Sequence, residues 1–137
     1  MNRPLIVASM IFSLTTAGNV AIAEGLNGAT ALVCSSNETF DCASTRECIA
    51  DSPEAINIPR LIRLDLNAKK AFTKRLSGEE NVAPIGAQQM LNGKLILQGV
   101  QNGYGWSMAI SEGTGSMSLA IAGDGAGVVV FGTCMGL

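Results

Sequence analysis

Residues 95–134 read LILQGVQNGYGWSMAISEGTGSMSLAIAGDGAGVVVFGTC. Apolar side chains alternate with small or polar ones in four runs, at residues 95–100, 104–110, 117–122 and 128–134. Gln101-Asn102-Gly103, Glu112-Gly113-Thr114-Gly115 and Gly123-Asp124-Gly125 separate the runs. Alternation of period two gives each strand one face to bury, and short glycine turns let it fold back on its predecessor. The stretch therefore predicts an antiparallel meander. Its last run carries Cys134, which implies a covalent tie to an earlier part of the chain.

Immediately upstream, Asn92-Gly93 lies between Leu91 and Lys94. An Asn-Gly pair supplies the positive φ angles of a type I′ hairpin turn, so a further strand precedes residue 95. That preceding stretch, residues 82–91, is extended around Pro84 but takes no regular assignment. Over residues 56–66, Ile56, Ile58, Ile62, Leu64 and Leu66 share one parity, which predicts a strand with one buried face. Pro59 cannot donate a ladder hydrogen bond and places its part of that strand at an edge or bulge. Residues 67–76 fit either a hairpin or a helix, since Ala68, Phe72 and Leu76 fall at i, i+4 and i+8. The hairpin is preferred, because the alternation, polar turn and second alternation resemble those around Glu112–Gly115. Residues 30–34 are expected to form the first strand, and the polar residues 35–53 an irregular excursion over the surface. The total is seven or eight short strands. The expected fold is all-β, a small antiparallel meander barrel or compact sandwich stapled by disulfides.

The chain opens with Met1-Asn2-Arg3-Pro4, an apolar run over residues 5–14, and Ala21-Ile22-Ala23. A charged start, a short apolar core and an A-x-A site make a secretory signal peptide over residues 1–23. The apolar run is well short of the roughly 20 residues that span a bilayer. The mature chain would be one β-rich domain over residues 24–137, exported to the periplasm or the extracellular space. It holds all eleven acidic side chains and all but Arg3 of the nine basic ones.

Four cysteines in an exported chain imply two disulfides. The favoured pairing is Cys34–Cys134, joining the first and last strands as expected if two sheet edges meet, with Cys42–Cys48 closing a small polar loop. Cys34–Cys42 with Cys48–Cys134 is the alternative. No metal is expected, because the chain lacks histidine and any paired C-x-x-C.

Without histidine, neither a Ser-His-Asp nor a Cys-His nucleophile system can be assembled. Glu79-Glu80 beside Ser77-Gly78 reads as a solvated turn, and Asp124 is a single carboxylate without the neighbours that calcium needs. The glycine clusters lack the strand-to-helix setting of a phosphate loop. No catalytic residue and no cofactor is expected, and the chain reads as non-enzymatic. Six basic residues lie within residues 60–75, opposed only by Asp65. In a hairpin, Arg63, Lys69, Lys70, Lys74 and Arg75 would share one outer surface, a candidate site for a partner protein or anionic envelope component. The acidic disulfide loop is a second candidate surface. Nucleic acid is not expected for an acidic exported chain with few aromatics. Tyr104, Trp106 and Met108 share a parity and form a candidate ligand cavity inside a barrel, the alternative to packed core.

The run GYGWSMAISEGTGSMSLAIAG followed by VFGTC resembles uncharacterised short exported bacterial proteins that pair an N-terminal cysteine-bearing strand with a terminal Gly-x-Cys. That resemblance, over residues 95–134, implies a secreted β-rich domain and no particular activity. Periplasmic lysozyme inhibitors are similar in architecture alone, as small disulfide-tied barrels. The expected function is a non-enzymatic exported interaction domain; a small apolar-ligand carrier with its cavity near Trp106 is the runner-up.

Overall fold

Alternating side chains and left-handed turns set the elements. Asn92 and Gly93 take φ of 50° and 70°, and Asn102 and Gly103 take 52° and 82°, so both Asn-Gly pairs form the tight turns that their chemistry favours. The computed structural model describes residues 25–137; the expected leader over residues 1–23 lies outside them. Ten strands form: β1 (Ala31–Ala43), β2 (Arg46–Asp51), β3 (Leu61–Asp65), β4 (Lys70–Lys74), β5 (Glu80–Pro84), β6 (Ala87–Leu91), β7 (Lys94–Gln101), β8 (Tyr104–Ser111), β9 (Ser116–Gly123) and β10 (Ala126–Gly136). A single 3-10 turn at Glu54–Ile56 is the only helical element among the described residues.

All pairings are antiparallel, in the order β5-β4-β3-β1-β10-β9-β8-β7-β6, with β2 attached to β1 alone. The sheet curls as a half-barrel. Its two outermost strands, β5 and β6, are separated only by Ile85-Gly86, so the chain itself brings the ends of the curl together. There the Ile85 N–H donates to the Lys69 carbonyl at 2.9 Å, while the Gly86 N–H donates to the Gln98 carbonyl at 2.8 Å. Consecutive amides on an extended strand point to opposite sides. Residues 80–91 thus act as one bent stave that holds β4 with its first half and β7 with its second.

The inward parity of nearly every stave fills the core. Leu32 and Cys34 come from β1, Ile62 and Leu64 from β3, Leu95 and Leu97 from β7, Met108 and Ile110 from β8, Met117 and Leu119 from β9, and Val130 from β10. Leu26, at 3% exposure, plugs one end, its N–H bonded to the Glu112 carbonyl at 2.8 Å. Cys34 and Cys134 face each other in the β1–β10 register and are bonded; Cys42 is bonded to Cys48. The favoured pairing is the one present. The first bridge joins neighbours in the middle of the sheet order, and the meeting of sheet edges lies elsewhere, at Ile85-Gly86.

Two local expectations are revised. Residues 35–53 are no irregular excursion: β1 runs on to Ala43 and β2 returns along it, a hairpin closed by Cys42–Cys48. Every residue of β2 is exposed, so no buried face marks it in the sequence. The strand expected over residues 56–66 shrinks to β3, because Asn57 takes a left-handed φ of 57° after the 3-10 turn. Residues 67–76 form the preferred hairpin arm: Asp65 accepts from the Ala68 N–H at 2.8 Å and Lys69 has φ of 53°, which turns the chain into β4.

Candidate functional site

Two aromatic side chains on β8 are seated on glycines of the neighbouring strands. Trp106 is the cross-strand partner of Gly99 on β7. A Cβ on Gly99 would sit 2.5 Å from Cζ2 and 2.6 Å from Cε2 of the indole, and 2.5 Å from the Pro84 carbonyl oxygen. Gly99 is therefore required by close approach from two sides. Likewise a Cβ on Gly123 would overlap the Tyr104 ring. These two seats hold both rings on the inward parity of β8, above Met108.

The cavity they bound is a cup of about 270 Å³ at the barrel end opposite Leu26. Met108, Leu119 and Ile62 make its floor; Trp106, Ile121, Ala71 and Ala83 its wall. Asn81, Gln101, Asn102 and Tyr104 stand at the rim with Arg75. Asn57, Ile58 and Pro59, in the connection between β2 and β3, lean over the mouth, with Ile58 packed on the core. That connection is pinned by the Ser36 hydroxyl, which donates to the Pro59 carbonyl at 2.9 Å, and by Arg60, whose Nε and Nη2 donate to Glu54 at 2.6 and 3.0 Å. The Arg60 guanidinium holds the Glu54 carboxyl below its ordinary range. At the seam, the Gln101 side-chain amide donates to the Val82 carbonyl at 3.3 Å.

The Trp106 ring also carries a buried donor. The Trp106 indole nitrogen is buried and meets no acceptor among the described residues. Leaving a buried donor unsatisfied costs on the order of 1–3 kcal/mol.

Sequence reasoning placed Tyr104, Trp106 and Met108 together, and all three line the cup. It gave no role to Ala71, Ala83, Ile58 or Gly99. The small inward alanines that leave the space open, and the glycine facing an aromatic residue one hairpin away, were the available signals.

The five basic residues are divided. Arg63 lies outward on β3, and Lys70 and Lys74 take the outward parity of β4; Lys69 is in the turn. Arg75 takes the parity of Ala71 and Thr73 and stands at the mouth of the cup, not on the outer surface. The outer face is also interleaved. Arg63 sits 4.2 Å over the Phe72 ring, Lys70 pairs across the sheet with Asp65, and Lys74 with Glu80. In the acidic hairpin, Asp41 forms an ion pair with Arg46. Among the described residues no group of three His, Cys, Asp or Glu side chains is placed to hold a metal ion. None of their helices is long and apolar enough to cross a membrane.

No protein-family model matches the chain, and no curated protein or solved structure matches it.

Proposed function

We propose that this protein is an exported, non-enzymatic carrier that holds one small, mainly apolar molecule in the cup beside Trp106. The observation that carries the reading is the open cup of about 270 Å³ itself, with Met108, Leu119, Ile121 and Trp106 making an apolar floor and wall. A well-packed core leaves no such void. Barrels of about eight staves are the size at which the interior is either filled or holds one small ligand. Export is supported by the leader pattern of residues 1–23 and by two disulfides, which persist in oxidising compartments.

Trp106 is the chain's single tryptophan, so its emission reports on the cup alone. A panel of alkanols, alkanoates and aryl analogues of six to ten carbons is titrated against the mature protein. A saturable emission shift with one site per chain, accompanied by a raised Tm, is expected. Absence of both across the panel would sink the carrier reading.

The second reading, an interaction domain engaging an anionic partner, is favoured by the three cations Arg63, Lys70 and Lys74 on one outer face. Its test is retention on heparin and on vesicles of anionic lipid. Retention should fall at least several-fold when all three are reversed to glutamate, and unchanged retention removes that surface from consideration.

A further inference from the structure

We infer that the cup selects amphiphiles bearing a single carboxylate, with Arg75 receiving the headgroup at the mouth and the apolar tail lying against Trp106, Met108 and Leu119. The inference rests on the carrier reading and names its ligand class. Among the described residues, Arg75 is the one charged side chain lining the cup; the rest of the rim is neutral amide or hydroxyl. The floor and most of the wall are apolar, so the space is polarised from a cationic rim to an apolar bottom.

Arg75 follows the last residue of β4, and its backbone is fixed on both sides. Its N–H donates to the Glu79 carbonyl, and its carbonyl accepts from the Gly78 N–H, each at 2.9 Å. The side chain is less committed. Among the described residues its one ionic neighbour is Glu79, with Nη1 4.0 Å from the carboxylate, and both side chains are well exposed. A pair at that distance in water contributes little and is readily exchanged. A guanidinium offers a planar fork that suits a carboxylate in a two-pronged arrangement, and it is more weakly hydrated than an ammonium. A ligand carboxylate arriving from the cup side competes with Glu79 for this fork.

The tail is limited by the space. At about 30 Å³ for a water-sized unit, 270 Å³ admits about nine such groups. Each methylene added below that limit raises affinity roughly fourfold, and further ones add nothing. A monocarboxylate of about eight carbons fits both ends.

The test compares octanoate, octan-1-ol and octylamine by tryptophan emission and calorimetry on the mature wild type, Arg75→Gln and Glu79→Gln. Wild type is expected to bind octanoate roughly ten- to a hundredfold more tightly than octan-1-ol at low salt, the range of a hydrogen bond to a charged group. Arg75→Gln should abolish that preference while leaving octan-1-ol affinity within about twofold. Glu79→Gln should tighten octanoate by removing the competitor. Equal binding of octanoate and octan-1-ol, tighter binding of octylamine, or a preference that survives in Arg75→Gln overturns the inference and leaves the carrier reading standing. Binding of none of the three, with none in the wider panel, overturns both.

Discussion

Ala83→Leu weighs the empty space directly, because the sign of its effect depends on whether the space is there. Ala83 is 8% exposed on β5 and lines the cup. In a filled core, added methylenes force neighbours off their rotamers and cost about 1–3 kcal/mol. Beside a 270 Å³ cup the three added carbons meet open volume instead. At about 0.8 kcal/mol per buried carbon they contribute roughly 2.4 kcal/mol, against about 0.5–1 kcal/mol of leucine rotamer entropy. The expected result is a gain of about 1–2 kcal/mol, or a Tm raised by about 4–8 °C for a domain of this size. Val130→Leu is the control: Val130 is fully buried on β10 and does not line the cup, so one extra carbon there should cost about 1–3 kcal/mol. Urea unfolding at unchanged m-value reads both. Ala83→Leu should also weaken any cup ligand, since it occupies the same volume. If Ala83→Leu loses stability as Val130→Leu does, the cup is closed in solution and the reasoning built on it fails.

Gly99→Ala should cost about 1–3 kcal/mol and red-shift the Trp106 emission, because the Pro84 carbonyl cannot move aside even if the indole does. Gly123→Ala should cost under about 1 kcal/mol, since the ring it meets belongs to Tyr104, which is half exposed and free to swing outward; near-equal losses would contradict this. Replacing Cys34 and Cys134 together by alanine should cost about 4–5 kcal/mol on the chain-entropy account of a 100-residue loop, whereas the Cys42/Cys48 pair should cost roughly 2, both read by urea unfolding. Glu54 is held below its ordinary range by Arg60, so its ion pair favours the folded state above the unfolded pKa and is lost as pH falls through the lower folded value. Amide exchange over residues 52–60 should therefore accelerate as pH is lowered from about 5 to 3, relative to the exchange of β7 and β8. Glu54→Gln should flatten that difference.

The four C-terminal strands were legible because their signals are local: period-two alternation and Asn-Gly or glycine turns lie within a few residues of each other. The β1–β2 hairpin was not, since β2 has no buried face and its pairing depends on Cys42 and Cys48 as well as on strand sequence. Residues 82–91 resisted assignment for a different reason. One stave changes partners at Gly86, so neither half carries a long alternation. Of the site, Tyr104, Trp106 and Met108 could be placed on one parity, but Arg75 was grouped with Lys74 by proximity in sequence. The period of a strand puts these two on opposite faces once β4 is known to run through Lys74. Ala71, Ala83 and Ile58 become neighbours of Trp106 only when the sheet curls, and nothing local encodes that.

The position of β10 between β1 and β9 has a kinetic consequence. This strand is synthesised after the other nine. Cys34 leaves the ribosome 100 residues ahead of its partner, which at about 5–20 residues per second is a wait of roughly 5–20 s. Cys42 and Cys48 arrive within the first few seconds of that interval, so in an oxidising medium the earliest thiols to meet Cys34 are the wrong ones. A chain that oxidises as it emerges is drawn toward Cys34–Cys42 and must reshuffle by thiol–disulfide exchange to reach its native bridges. A chain kept reduced until Cys134 is free avoids that detour. For this protein the timing of oxidation relative to synthesis sets the yield.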